Sequence, residues 1–495
     1  MDKKQVAKGV AWGGVGSLAS LGLKFLTIPV LARLLSPEDF GVVAIALAIM
    51  GFIVMAIGKG GMGAAIIYYE NRDPGKYIHT AFWSNFFVGV VLAIACYYSA
   101  EILSIFFGVP AAEPFIEAVS FLIPLLLVEQ VGRSLLLLKM QYKKLAGVMF
   151  FASMLGGIVA LIMAFLGKGA WSLIWQQVFY SAVLMGGCLY LANYTPKLEF
   201  KKERFVEIMP YALRNTASDI LMWLSTQGVT LFIGRFFGAS TVGGYQVNSR
   251  LSQLPREIVG NALDQAVFSG IASTQSGLDK NRPFKDKLEH VWDDLILVTK
   301  LNVFFLGGCY LFLAIYAESV VLLVLGETFI EFWPLFRALS LVCLFGAALS
   351  VLYPFLKGVG EDKLVLHLSC LRTVLTATFL SLSIILSQNV IYIAYSLVLV
   401  QVIILVVVLV GVCNKSDYSF GSIVNQFKGI VFVFLCVLLL SWPINFIVEM
   451  QFGSIILQGV ISGSVLLIVT ALLTPFLARK DWLQARHWLE VKLKK

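Results

Sequence analysis

The feature that most restricts this chain is a succession of long apolar runs. They fall at approximately 9–31, 41–68, 79–106, 115–138, 146–167, 170–192, 211–235, 243–270, 292–316, 333–356, 364–387, 390–412, 428–449 and 454–477. Each has roughly the 20 residues that a helix needs to cross a hydrocarbon core. Inside a bilayer every backbone N–H and C=O must be satisfied by the protein itself, which leaves helices or closed barrels. Barrel strands would run near 10 residues with strict alternation, a pattern absent here. The expectation is an all-α, polytopic integral membrane protein with about fourteen transmembrane helices. Composition agrees. Charged residues make up 14% of the chain and hydrophobic ones 59%, against roughly 25% charged in soluble domains. That is too little charge to clothe a water-facing surface, and the mean hydropathy is +0.86. The first run is too long for a signal-peptide core and no small-residue cleavage pattern follows it, so it reads as a retained first span.

The loops give sidedness. With the N-terminus in the cytoplasm, the inside segments hold Lys3, Lys4, Lys8, Arg72, Lys76, Lys139, Lys143, Lys144, Lys197, Lys201, Lys202, Arg204, Lys280, Arg282, Lys285, Lys287 and the basic tail from Arg479 to Lys495. The outside segments hold only Arg33, Lys168 and Arg235. This positive-inside bias places both termini in the cytoplasm and accounts for the net charge of +9 without a nucleic-acid partner. The seven cysteines form no CxxC pair and the four histidines no ligand spacing, so no metal and no cofactor is expected. No Walker, HExxH, GxSxG or paired-carboxylate motif occurs. The chain therefore reads as a transporter rather than an enzyme, with no ATP hydrolysis of its own.

The sequence also looks duplicated. Arg33-Leu-Leu-Ser-Pro-Glu-Asp-Phe-Gly41 follows the first span, and Arg235-Phe-Phe-Gly-Ala-Ser-Thr-Val-Gly243 follows the seventh; 202 positions separate Arg33 from Arg235 and Gly41 from Gly243. The basic loops Lys139–Lys144 and Lys357–Lys363 echo one another after spans four and ten. An even repeat gives two halves of the same orientation about an axis along the membrane normal. The organisation expected is a six-helix lobe over 1–192, a cytoplasmic amphipathic connector over 193–210, a second six-helix lobe over 211–413, two extra helices within 428–477 and a basic amphipathic tail over 478–495.

A charge inside a span costs roughly 2.5–3.5 kcal/mol on insertion scales, so each needs a reason. The candidates are Lys24, Lys59, Glu129, Arg133, Asp219, Arg250, Arg256, Asp264, Lys300, Arg337 and Arg372. Lys300, Arg337 and Arg372 lie near span ends and are expected to snorkel to the interface. Glu129 and Arg133, four apart on one helix, are expected to form a structural ion pair. Lys24 and Asp219 are counterparts in the two halves, and Arg250 and Arg256 flank Pro255 in span eight. Cations here suit a water-filled cavity that takes an anionic substrate such as a phosphate or pyrophosphate. Lys59 stands in Gly58-Lys-Gly-Gly-Met-Gly63, which lacks P-loop spacing and joins the cavity set.

Three stretches carry a resemblance. Leu31-Ala-Arg-Leu-Leu-Ser-Pro-Glu-Asp-Phe-Gly41 after Lys8-Gly-Val-Ala-Trp12, then Gly234-Arg-Phe-Phe-Gly-Ala-Ser-Thr-Val-Gly-Gly-Tyr245 with Arg250 and Pro255 behind it, then Leu325-Gly-Glu-Thr-Phe329, together resemble the Wzx-type polysaccharide exporters. The likeness is to the colanic-acid and teichuronic branch of the multidrug/oligosaccharidyl-lipid/polysaccharide superfamily. It implies two six-span lobes around a cavity with alternating access. It also implies flipping of an undecaprenyl-pyrophosphate-linked oligosaccharide across a bacterial inner membrane, for exopolysaccharide, capsule or O-antigen assembly. Membrane lipids, a polysaccharide polymerase and chain-length proteins are the further partners implied. Two positions depart from the family: Lys59, where an acidic residue is usual, and Ser269, where a proline is usual after the aromatic Phe268. Competing expectations are a drug or small-cation antiporter of the same superfamily, which would want acidic rather than basic cavity residues, a membrane polysaccharide polymerase or glycosyltransferase, and a non-transporting scaffold.

Overall fold

The computed structural model describes residues 22, 26–57, 59–70, 72–73, 75–275, 292–358, 362–386, 389–414, 418–451 and 454–477; within these, side chains at 56–61, 64, 211, 213–219, 221–222, 225–226, 258–275, 293–294, 357–358, 362–363, 449–451 and 467–477 lie outside the description. Lys24, most of the first span, the loop 276–291 and the tail 478–495 therefore fall outside it. Among the described residues the secondary structure is helical throughout, without a strand.

The first elements are α1 (26–34), α2 (Pro37–Ile57), α3 (Lys59–Glu70), α4 (Ile78–Tyr98), α5 (Ala100–Phe106), α6 (Glu113–Ser120), α7 (Leu122–Leu138), α8 (Tyr142–Phe165) and α9 (Trp171–Leu191). A long helical stretch, Lys202–Gln275, follows and is broken at Gly238 into α10 (202–237) and α11 (239–275). After these come α12 (Trp292–Asn302), a π turn (Val303–Gly307), α13 (Gly308–Ile315), α14 (Ala317–Leu325), α15 (Trp333–Gly358), α16 (Asp362–Leu386), α17 (Val390–Asn414), α18 (Phe420–Gln451) and α19 (Ile455–Leu477). Among the described residues, nine helices are long and apolar enough to cross a membrane, and a tenth if Pro110–Ser120 and Leu122–Leu138, bent by 43°, count as one span. Large apolar side chains such as Phe165 (70%), Ile385 (79%) and Leu439 (74%) stand exposed on these helices, where hydrocarbon rather than water is the solvent.

Two compact units emerge, 1–247 and 248–495. This division falls inside span eight, whereas the sequence repeat divides at 193–210. Within the expected connector, residues 202–210 are helical and continue into the seventh span. Lys202, Glu203 and Arg204 are good helix formers, and the helix continues through Pro210 as far as Gly238. At Gly238 φ is +78°, which a residue without a Cβ tolerates best.

Each unit, taken by itself, repeats one local pattern. In the first, α4 donates from buried Asn85 Nδ2 to the Leu127 carbonyl at 2.8 Å. The chain then breaks at Ser99, runs through α5, turns at Gly108 (φ +72°), passes a 3-10 turn and enters α6 with Pro114 in its first turn. In the second, Asn302 Nδ2 donates to the Ala347 carbonyl at 2.7 Å. The chain breaks at Tyr316, runs through α14, turns at Gly326 (φ +88°), passes a 3-10 turn and enters α15 with Pro334 second. The copies differ in that the second carries a π turn immediately after Asn302 and a continuous α15 where the first has α6 and α7 bent by 43°. The cores are separate as well. Tyr77, Ile66, Val131, Leu136 and Cys188 centre the first, and Phe355, Leu356, Ile404 and Val408 the second. The final pair, α18 and α19, packs through Val433 and Leu466 on Leu311 and Tyr316, and Ser319 Oγ donates to the Ile455 carbonyl at 3.1 Å.

Candidate functional site

Helix α11 carries a polar stripe. At 100° per residue, Ser249, Arg250, Gln253, Arg256 and Glu257 fall within an arc of about 120°. Arg250, Gln253 and Arg256 are exposed, while Leu251, Ser252 and Leu254 off that arc are buried. Gln253 Nε2 donates to Ser249 Oγ at 2.9 Å, and Glu257 lies within electrostatic reach of Arg250 two turns away. A helix with accessible charges along one side and buried residues off it has a wet side and a dry side.

Beside this stripe, α15 places Cys343 next to Ser252 and Tyr310 and within electrostatic reach of both Arg256 and Arg372. Tyr310 is 1% exposed. Arg372 also acts on Tyr353. Its charge is thus felt among packed helices, where the sequence reading has it snorkelling. Arg337 does sit at a span end, with Nε donating to the Ala314 carbonyl at 3.0 Å and its guanidinium 4.7 Å from the Trp333 ring centre. In the first unit, Arg133 Nη1 lies 3.8 Å from Glu129 Oε1, and that carboxylate belongs to a residue 1% exposed. The pair is electrostatic rather than a well-formed hydrogen bond.

The first turns of α2 and α11 meet, and both lie in the first unit. A methyl group on Gly41 would overlap the Ala239 carbonyl, and one on Gly243 would overlap the Pro37 carbonyl. Under the 202-residue offset Gly41 maps to Gly243 and Pro37 to Ala239. The contact is therefore reciprocal, as at a twofold axis. Gly108 fits against the Gly234 and Arg235 carbonyls, and Arg235 Nη1 donates to the Ile105 carbonyl at 3.3 Å. Ser36 and Asp39 cap α2 reciprocally, with Ser36 Oγ donating to Asp39 Oδ2 at 2.8 Å and the Asp39 amide to Ser36 Oγ at 3.2 Å. Asp39 Oδ1 also accepts the Ala170 amide at 2.9 Å.

At the opposite end of these helices, buried Glu70 accepts the amides of Gly75, Tyr77 and Ile78 at 2.6, 2.7 and 2.7 Å. The segment leading to α10 is strapped across this loop. Trp83 Nε1 donates to the Lys197 carbonyl at 2.7 Å, Lys139 Nζ to the Ala192 carbonyl at 3.0 Å, and Tyr194 Oη lies 2.9 Å from His79 Nδ1. Burial, with a smaller contribution from Glu70, pushes the Tyr194 hydroxyl up. For Glu199, desolvation would raise the carboxyl, but Arg204 at 3.0 Å and Lys201 at 3.5 Å outweigh it and hold the carboxyl below its usual range.

Of the expected cavity residues, Arg250 and Arg256 stand on the stripe. Lys59 opens α3 and Asp219 belongs to α10, but their side chains, like the whole of Lys24, lie outside the described residues. Asp264 belongs to α11 with its side chain likewise outside the description. Ser249, Gln253 and Glu257 were not singled out from the sequence, although their spacing of four along an apolar run was the available signal.

Residues 30–334 match a family model described as polysaccharide biosynthesis protein. The chain is 28% identical over 376 residues to the succinoglycan biosynthesis transport protein ExoT of Rhizobium meliloti (strain 1021), covering 76% of this chain and 74% of that protein. It is 24% identical over 352 residues to the lipopolysaccharide biosynthesis protein WzxC of Escherichia coli (strain K12), covering 70% and 68%. In fold it is similar to the lipid II flippase MurJ in an inward closed conformation, with TM-score 0.73, 14% identity and coverage of 94% and 98%. It is also similar to an inward-facing multidrug resistance MATE transporter of the MOP superfamily, with TM-score 0.63, 15% identity and coverage of 83% and 99%.

Proposed function

The chain belongs to the polysaccharide biosynthesis protein family, and from that premise we propose that it moves a lipid-linked oligosaccharide across the bacterial inner membrane by alternating access, as a flippase rather than an enzyme. The observation that carries this reading is the stripe on α11, where Arg250 and Arg256 remain accessible along one side of a helix whose Leu251, Ser252 and Leu254 are buried. A lipid-linked sugar has a head too polar for the bilayer core and a tail too apolar for water. The head needs a hydrated path, and guanidinium groups on that path are matched to pyrophosphate oxygens. Lys24, Lys59 and Asp219 complete the proposed cavity set, with both termini cytoplasmic and the two six-helix repeats as the moving bodies. A polysaccharide polymerase and chain-length proteins are the proposed partners, receiving the flipped unit.

The antiporter reading draws on the shared MATE-like fold, but exposed arginines on the stripe disfavour a cationic cargo. The test is reconstitution of the full chain in proteoliposomes with an undecaprenyl-pyrophosphate-linked oligosaccharide, scoring how much becomes accessible to a lectin in the opposite compartment. Movement above protein-free vesicles supports the proposal. No movement, with uptake of a cationic dye instead, would transfer the chain to the antiporter reading.

A further inference from the structure

An open groove of about 560 Å³ runs between α8 and α9, and its mouth carries Lys143 and Lys144. Both lysines are exposed. Below them the walls are apolar, formed by Val148 and Phe151 on α8 and by Val183 and Leu191 on α9. From Lys143 to Phe151 is eight residues, about 12 Å along a helix axis. Glycine makes the depth: Gly147 and Gly187 line the groove, and a side chain started at Gly147 would meet nothing within 4 Å.

The surroundings fix the solvent. Phe151 (50%), Ile162 (54%) and Phe165 (70%) stand exposed along α8, and Phe179 (41%) along α9. A groove flanked by such residues opens onto hydrocarbon. A water-soluble anion would use the lysines but not a dry floor 12 Å long. A purely apolar partner would use the floor but not the two cations at its end.

We propose that this groove holds one chain of an anionic glycerophospholipid, with its phosphate headgroup at Lys143 and Lys144. Two lysines at a membrane surface are worth about 1 kcal/mol each toward anionic lipid, so together they give a preference of about 30-fold over a zwitterionic lipid of the same chains. The site does not depend on the transport reading, and in the orientation proposed above it faces the inner leaflet.

Native mass spectrometry of the full-length protein, released from micelles with added phosphatidylglycerol or phosphatidylcholine, tests this. The wild type should retain one phosphatidylglycerol in preference to phosphatidylcholine. Lys143→Gln with Lys144→Gln should erase most of the 30-fold preference, and Arg at both positions should restore it. Gly147→Leu, whose Cβ meets nothing within 4 Å and whose side chain extends into the groove, should lower retention of both lipids while the melting temperature stays at the wild-type value. Equal retention of the two lipids by the wild type would overturn the proposal, as would a Gly147→Leu protein that keeps its phosphatidylglycerol. Stoichiometric displacement by undecaprenyl phosphate would also overturn it, by giving the groove to the substrate's carrier.

Discussion

At the residue scale the question is what a charge gains by being inside a membrane. Arg250 and Arg256 stay accessible on α11, whereas Glu129 is buried and paired with Arg133. The first arrangement keeps charge available to a ligand; the second consumes it within the protein. Replacing Arg250 with Ala should reduce translocation about 10- to 150-fold, the loss of one charge-assisted contact of roughly 1.5–3 kcal/mol, without loss of inserted protein. Arg250→Lys should retain an intermediate rate, because it keeps the charge but not the fork. Lectin accessibility in proteoliposomes measures both, and full activity of the Ala variant would remove Arg250 from the substrate path.

At the scale of elements, the reciprocal Gly41–Ala239 and Gly243–Pro37 contact joins two helix starts that the sequence repeat relates. There is no room for a methyl group on either glycine. Gly41→Ala or Gly243→Ala should therefore disfavour this closed rim by about 1–3 kcal/mol, shifting the population toward the open rim by roughly 5- to 150-fold. A cysteine at Ser240 should then react faster with a membrane-impermeant thiol reagent; unchanged labelling in both variants would show that the rim does not open. The strap leading to α10 gives a pH prediction. Arg204 and Lys201 hold Glu199 below the usual carboxylate range. Its contribution is present above the unfolded value, near 4, and is lost as pH falls through the depressed folded value. Trp83, whose indole is tied to the Lys197 carbonyl, should report loosening as a fluorescence change below about pH 4. Glu199→Gln should show the loosened signal already at neutral pH.

At the scale of the molecule, two copies of one pattern occupy two compact units, and the boundary between units does not coincide with the boundary between copies. The start of the second copy, 211–247, lies within the unit that contains the first. The rim contact is thus a joint between the copies inside one packed body, and its opening would separate the copies there. A double Ser36→Cys, Ser240→Cys protein on a cysteine-free background should crosslink under oxidation and lose translocation, recovering it on reduction. A crosslinked protein that still transports would rule out rocking about this rim.

The sequence by itself determined the class, the approximate spans, the duplication and the charges that need explaining. Those follow from one physical rule: a backbone in hydrocarbon must bond to itself, so length and hydropathy decide the element before any tertiary contact forms. What only the tertiary structure decided is which face of each span is dry. Inside a membrane both lipid and neighbouring helices are apolar, so hydropathy does not distinguish them. Arg372 reads from the sequence as a snorkelling end residue, while the structure brings its charge within electrostatic reach of Cys343 and Tyr353 and puts Glu257 within reach of Arg250. The continuity of 202–210 with the seventh span was hidden because charged helix formers suit an interfacial connector and a helix start equally well. The meeting of Gly41 with Ala239 depends on the path of the whole first unit, which no local pattern encodes.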